Sequence, residues 1–280
     1  MKEAEVNVPD IVFESVTFSY NDKVLDDLSL EINRGEFVAI VGANGSGKTT
    51  FARHINALLQ PQLGMVLTVG LDTRDPDNLF TIRSHAGMVF QNPNTQMVAS
   101  VVADDVAFGP ENLNVQPPAL QQRVKQALDT VAMSSHAEDD PAELSGGQRQ
   151  RVSIAGILAM QPDILVLDEP GAMLDVRGRR GIRRIISELN QTGMTIVLIT
   201  HFMEEAALAG RVIVLDQGKV ALDGPPAEVF SEANVLRQLG LDLPFSSLLA
   251  EALSAQGFAI PESISLDDLK ELICSWFSMQ

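Results

Sequence analysis

Three short stretches of the 280-residue sequence place chemically useful side chains at fixed spacing. The first is GANGSGKTT. Gly42, Ala43, Asn44 and Gly45 lead into Ser46, Gly47 and Lys48, and Thr49 and Thr50 follow. The run fits G-x-x-x-x-G-K-[ST], a loop for phosphate. Glycines let backbone N–H groups converge on phosphate oxygens with no Cβ in the way. A helix starting near Lys48 adds the positive end of its dipole. Lys48 can reach β- and γ-phosphates, and the Thr49 hydroxyl suits Mg²⁺. The second stretch, ILVLDEP, is an apolar run ending in Asp168 and Glu169. A strand of that kind delivers its acids to a sheet edge beside the phosphate loop. Asp168 then helps to hold Mg²⁺ through water, and Glu169 polarises an attacking water. The third, LSGGQRQR, has no carboxylate, histidine or cysteine, so no reaction starts there. Ser145 and Gln148 spell a capping box around Gly146 and Gly147. This is a second helix N-terminus with exposed N–H groups, suited to an anion.

The elements that must position these residues follow from apolar spacing. Residues 11–41 alternate short apolar runs with polar turns, which reads as several strands, the last entering the glycines. Phe51, Ile55, Leu58 and Leu59 recur at helical spacing after them. Residues 92–162 are mostly helical in pattern, broken at Pro93, Pro110, Pro117 and Pro118. DILVLD (163–168) and TIVLIT (195–200) read as buried strands, with helical VRGRRGIRRIISELN between them. Strand–helix–strand alternation with continuous apolar strands predicts an α/β fold, its parallel sheet covered on both faces. Near the C-terminus Ser265 and Asp268 match a capping box. Leu266, Leu269, Leu272, Ile273 and Trp276 then form one apolar stripe, for packing on the chain's own domain or on a second chain.

Composition narrows the partners. Apolar residues make up 45%, enough for a full core, and the net charge is −17. That balance argues against a nucleic-acid backbone as the main partner. Cys274 is the single cysteine, so no internal disulfide forms, which fits a reducing cytosol. It reads as an apolar side chain of a terminal helix. No apolar run approaches the ~20 residues of a membrane helix. The start, MKEAEVNVPD, is acidic and lacks an apolar signal region. The expectation is a soluble intracellular chain; if it works at a membrane, a partner must hold it there.

With LSGGQ added to the other two motifs, residues 11–230 resemble the ATP-binding-cassette (ABC) ATPases. The resemblance implies a P-loop NTPase core: an antiparallel β subdomain, a RecA-like parallel sheet and an inserted helical subdomain at about 92–162. Residues 1–230 form the nucleotide-binding domain, and 231–280 a small helical extension for dimer contact. ATP and Mg²⁺ are the implied ligands. Two chains pair head to tail, so that Ser145 and Gly147 touch the γ-phosphate held by the other chain. Tyr20, the one tyrosine, matches the aromatic that stacks on adenine. Gln91, in MVFQNP, matches the glutamine that contacts Mg²⁺ and the attacking water. His201, in LITHFMEEA, matches the switch histidine that senses the γ-phosphate. Asp175, in GAMLD, matches the acid of the loop that couples the two sites. His54, His85 and His136 lack ligand-like partners. The chain departs from the family at Gly171, where relatives often have Ser or Thr, at Val176, where they often have Pro, and at Phe202, where many have Asp. None of these departures removes a phosphate, metal or water contact that the resemblance implies; the expectation is that they put fine coupling in doubt and not hydrolysis.

GMVFQNPNTQMVASVVADDVAFGPENL (87–113), RVSIAGILAMQPDILVLDEPGAMLD (151–175) and the extension look like the ATPase subunits of energy-coupling-factor transporters. That branch implies uptake of a vitamin or metal ion from the cytoplasmic face of the membrane. The implied partners are a second ATPase subunit, identical or paralogous, a transmembrane coupling protein and a substrate-binding membrane subunit. Asp104 and Asp105 are candidate acceptors for arginines of the coupling protein. The rival readings are the ATPase of another importer class and a DNA-repair ABC ATPase. The second is disfavoured by the interval between cradle and LSGGQ, about a hundred residues without heptads or cysteine pairs.

Overall fold

The computed structural model describes residues 9–258, 260 and 266–278. The acidic start and Ser265 of the C-terminal capping box lie outside the described residues. Among these residues ten strands form two sheets. β1 (Pro9–Ser19), β2 (Lys23–Asn33), β4 (Leu63–Thr68) and β5 (Leu71–Asp72) make an antiparallel sheet in the order β2-β1-β4-β5. β3 (Phe37–Val41), β6 (Ala86–Val89), β7 (Ile164–Asp168), β8 (Thr195–Ile199), β9 (Arg211–Asp216) and β10 (Lys219–Gly224) make the second, in the order β10-β9-β3-β8-β7-β6. It is parallel except for the antiparallel edge pair β9–β10.

The second sheet explains why its strands read as unbroken apolar runs. Every residue of β3, β7 and β8 is buried. Phe37, Ala39 and Val41 enter one core, whereas Val38 and Ile40 enter the other. Leu165 and Leu167 against Ile164 and Val166 repeat the division in β7. A strand with apolar layers on both sides has no polar face to show. β1 and β2 have one covered face, and their burial alternates accordingly.

The helices are α1 (Lys48–Ile55), α2 (Leu79–His85), α3 (Val102–Asn112), α4 (Pro117–Thr130), α5 (Gly146–Leu158), α6 (Val176–Gln191) and the single turn α7 (Met203–Ala206). After them come α8 (Pro226–Ser231), α9 (Ala233–Gln238), α10 (Phe245–Ala255) and α11 (Leu266–Ser278). α1 lies between the two sheets, its Phe51 ring stacked on Phe13 of β1 at 4.5 Å. It is shorter than the apolar spacing suggests. Ala57 takes a left-handed φ of 54°, and Leu58 is exposed. α3, α4 and α5 fill the interval expected to be helical, and α6 is the expected helix between β7 and β8.

The segment after residue 230 shares the main core through Leu236, Leu241 and Leu243. α11 carries the terminal stripe. Leu269 is buried and Trp276 stacks on Phe258 at 4.9 Å, while Leu266 stays exposed. Cys274 is exposed instead of packed in the apolar face. No helix among the described residues is long and apolar enough to cross a membrane.

Candidate functional site

Strand register gathers the site. Ile40 of β3 and Asp168 of β7 both pair with Ile199 of β8, and Leu167 pairs with Val89 of β6. The carboxyl ends of four parallel strands are therefore level. The residues just past them are Gly42, Gln91, Glu169 and His201. Open α/β sheets bind ligands at this edge.

The 42–47 loop is a cradle that side chains would fill. Gly42 has φ of 155°, and a Cβ there would meet Leu215 O at 2.3 Å. Gly47 has φ of 104°, and its Cβ would meet Val24 O at 2.7 Å. Ser46 Oγ is buried without a protein partner. Lys48 Nζ donates to Gly42 O at 2.8 Å and to Ala43 O at 2.9 Å, so its ammonium lies across the loop. Burial lowers the Lys48 pKa, against the pull of Glu169 and Asp168.

Thr49 Oγ1 donates to Asp168 Oδ1 at 3.2 Å, bringing a hydroxyl and a carboxylate together beside the cradle. Burial raises the Asp168 pKa first of all; the Thr49 bond opposes this and the Glu169 charge adds to it. A further positive charge would relieve the desolvated carboxylate. Among the described residues no cluster of three or more His, Cys, Asp or Glu could hold a metal by itself. A cation here must lean on a ligand's oxygens as well, as Mg²⁺ does on phosphates. The orphaned Ser46 hydroxyl, the glycine cradle and the Thr49–Asp168 pair fit a magnesium nucleotide.

Glu169 stands one residue further on, with φ of 48° and its N–H donating to Ile199 O at 2.9 Å. That left-handed turn costs a non-glycine residue about 1 kcal/mol or more. It ends the strand and frees the side chain. Gln91 Nε2 donates to Glu169 Oε2 at 2.9 Å, and His201 Nδ1 lies 3.3 Å from the same oxygen. One carboxylate is thus held by an amide from the end of β6 and an imidazole from the end of β8.

The remaining expected residues have contacts of their own. Tyr20 is 56% exposed and meets Phe18 edge-on at 5.0 Å. Phe18 in turn meets His54, fully buried, whose Nδ1 contacts Thr50 O at 2.7 Å. Ser145 caps α5, accepting from Gln148 N–H at 3.3 Å, while Gln148 Oε1 accepts from Ser145 N–H at 2.8 Å. The expected capping box is present. Asp175 caps α6, accepting from Gly178 N–H at 2.7 Å.

Two of the histidines read as lacking ligand-like partners make structural pairs, and one candidate docking acid is turned inward. His136 Nδ1 pairs with Asp139 at 2.6 Å, and its Nε2 lies 3.1 Å from the Gln148 amide, so it braces the LSGGQ helix. His85 pairs with Asp163 at 2.5 Å. Asp105 is buried and accepts from the N–H groups of Val98 and Ala99 at 2.6 and 3.0 Å. That oxygen serves its own turn instead of waiting for an arginine; Asp104 is exposed.

Comparison with known proteins adds the following. A family model described as ABC transporter matches residues 25–172. The energy-coupling factor transporter ATP-binding protein EcfA1 of Symbiobacterium thermophilum is 51% identical, covering 96% of this chain and 98% of that protein. The EcfA1 of Caldanaerobacter subterraneus is 49% identical, covering 93% and 97%. Among solved structures, cbiO1 from Clostridium perfringens, described as part of the ABC transporter complex cbiONQ, aligns with a TM-score of 0.75 at 34% identity. It covers 82% of this chain and 94% of that one. A dimeric ATP-binding cassette, MJ0796, in a post-hydrolysis state bound to ADP and Pi, aligns with a TM-score of 0.71 at 31% identity. It covers 77% and 98%.

Proposed function

The chain belongs to the ABC transporter family, among the energy-coupling-factor transporter ATP-binding proteins, and from that premise we propose how its residues act and with which partners. It is an ATP-hydrolysing transporter subunit. Gly42 through Thr50 cradle the phosphates of ATP, with Lys48 on the β- and γ-phosphates. Thr49, Asp168 and Gln91 are the residues to hold Mg²⁺, which when bound neutralises phosphate charge. Glu169 accepts the proton of the attacking water. Gln91 and His201 keep Glu169 aimed, and His201 senses the γ-phosphate. Lys48 and the converging N–H groups stabilise charge on the transferring phosphoryl. The observation that carries this reading is the shared contact of Gln91 and His201 on Glu169 Oε2, beside the Thr49–Asp168 pair.

The working unit is a head-to-tail pair with a second ATPase subunit, identical or paralogous. Tyr20 stacks on adenine, and Ser145, Gly146, Gly147 and Gln148 present the start of α5 to the other chain's γ-phosphate. Residues 1–230 act as the nucleotide-binding domain, and 231–280 contribute dimer contact. A transmembrane coupling protein docks from the membrane into an apolar groove of about 620 Å³ edged by Phe80, Val98 and Phe108. A substrate-binding membrane subunit supplies the vitamin or metal ion. The subunit is peripheral, on the cytoplasmic face, and needs no nucleic acid.

Glu169→Gln tests the chemistry. The variant should bind MgATP as the parent does, hydrolyse it about a hundredfold more slowly and accumulate as ATP-bound pairs on gel filtration. Hydrolysis at the parental rate would remove Glu169 from the role.

A further inference from the structure

Two of the family departures, Gly171 and Phe202, meet a third residue, Arg179 of α6. The Arg179 guanidinium lies over the Phe202 ring, 4.2 Å from its centroid. The Phe202 ring is 4.0 Å from the His201 imidazole, tilted by 40°. Gly171 leaves room for the arginine stem. A Cβ there would lie 3.2 Å from both Cγ and Cδ of Arg179 and 2.8 Å from Glu205 Oε1. A side chain at 171 therefore presses on the arginine stem that reaches Phe202.

The Phe202 backbone is also fixed. Its N–H donates to Thr200 Oγ1 at 3.0 Å, and its carbonyl accepts from Glu205 N–H at 2.9 Å. The Thr200 hydroxyl donates to the buried Glu205 carboxylate at 2.7 Å. With backbone and ring both held, Phe202 is a rigid wall beside an imidazole that lies 3.3 Å from Glu169. The wall is anchored on α6, whose first turn is capped by Asp175.

We propose that Phe202, gripped by Arg179, is a positioning residue for His201: it fixes the imidazole beside Glu169 and ties that placement to the helix that follows the 169–175 loop. A shift of α6 moves Arg179, Arg179 moves the ring, and the ring moves His201. Gly171 and Phe202 thus act as one device, the first giving the arginine passage and the second receiving it. The inference rests on Glu169 and His201 serving hydrolysis as described above.

Steady-state ATPase measurements on the full chain, purified with the subunits that accompany it, test the device. Phe202→Leu removes the ring and Arg179→Gln removes the cation from a half-exposed helix position that does not threaten folding. Each should lower kcat about fivefold with KM for ATP unchanged. Phe202→Tyr, which keeps the ring, should retain the parental kcat. The Phe202→Leu, Arg179→Gln double variant should be no slower than either single, because both break one contact. Gly171→Ala, which needs no unusual φ, presses on both Glu205 Oε1 and the arginine stem and should lower kcat in the same direction as Arg179→Gln. Parental kcat in both single variants, a multiplicative loss in the double, or a change confined to KM would each overturn the proposal. Glu169→Gln in the same preparations separates the two levels. If it is inactive while Phe202→Leu and Arg179→Gln match the parent, the positioning device alone is refuted. If Glu169→Gln hydrolyses normally, the underlying reading of the site falls.

Discussion

At the scale of single residues, the glycine loop at 42–47 was legible because its geometry is local. Glycines so close in sequence need no tertiary context to allow converging N–H groups, and the chain folds them at φ values other residues avoid. Their demands still differ. Gly47→Ala should cost about 2 kcal/mol, since its Cβ meets Val24 O at 2.7 Å, and should weaken ATP binding at least about tenfold. Gly45→Ala meets nothing within 4 Å and should cost only about 1 kcal/mol of left-handed strain. Thermal melts and binding of a fluorescent nucleotide separate the two. Asp168 offers a pH test. Burial raises its folded-state pKa above the unfolded value, so the native chain holds that proton more tightly. Its contribution to stability therefore falls as pH rises from the ordinary carboxylate range through the raised value. Asp168→Asn should remove that slope and raise the melting temperature at pH 7, while abolishing Mg²⁺-dependent hydrolysis. A melting temperature that drops instead would mean the carboxylate is stabilised by neighbours that outweigh its burial. The adjacent pair Asp104 and Asp105 shows where residue-level reading stopped. Their types are the same, but successive helical residues point about 100° apart, and only Asp105 turns inward to the N–H groups of Val98 and Ala99.

At the scale of elements, β3, β7 and β8 were readable because a strand covered on both faces must be apolar throughout. β4 was not, since its burial is mixed and only Val66 and Thr68 are fully enclosed. The start of α5 was readable because a capping box is written within four residues. Its brace was not: His136 reaches Gln148 from twelve positions upstream, across a turn that no periodicity announces. This element also allows folding and function to be parted. Ser145→Ala deletes the cap and should cost about 1 kcal/mol of stability. Ser145→Asp keeps an acceptor of equal capping quality, so the melting temperature should hold within about 2 °C. The new carboxylate would nevertheless face the partner's γ-phosphate. Hydrolysis should therefore fall about a hundredfold in a chain as stable as its parent. Normal hydrolysis by the Ser145→Asp variant would show that this helix end does not meet the phosphate.

At the scale of the whole molecule, the proposed assembly turns on charge and on the apolar groove edged by Phe80, Val98 and Phe108. A chain of net charge −17 without a membrane-crossing helix among its described residues needs specific contacts to work at a membrane. The groove between α2 and α3 is the surface proposed to offer them. Phe80, Val98 and Phe108 stand 63, 61 and 51% exposed around it, an apolar edge that water alone does not favour. Asp105 lies in its lining but is committed to the turn that shapes the rim. Two substitutions therefore separate a docking surface from its scaffold. Phe108→Glu places a charge where an apolar helix should sit, at a position already in water. It should abolish co-purification with the membrane subunits and leave the melting temperature and MgATP binding of the free chain unchanged. Asp105→Lys should also abolish co-purification, but by another route. It removes the acceptor from the part-buried N–H groups of Val98 and Ala99, a loss of about 1 kcal/mol, and should lower the melting temperature as well. Were Phe108→Glu to assemble normally while Asp105→Lys failed, the groove would be a structural hollow and the docking surface would lie elsewhere on the chain.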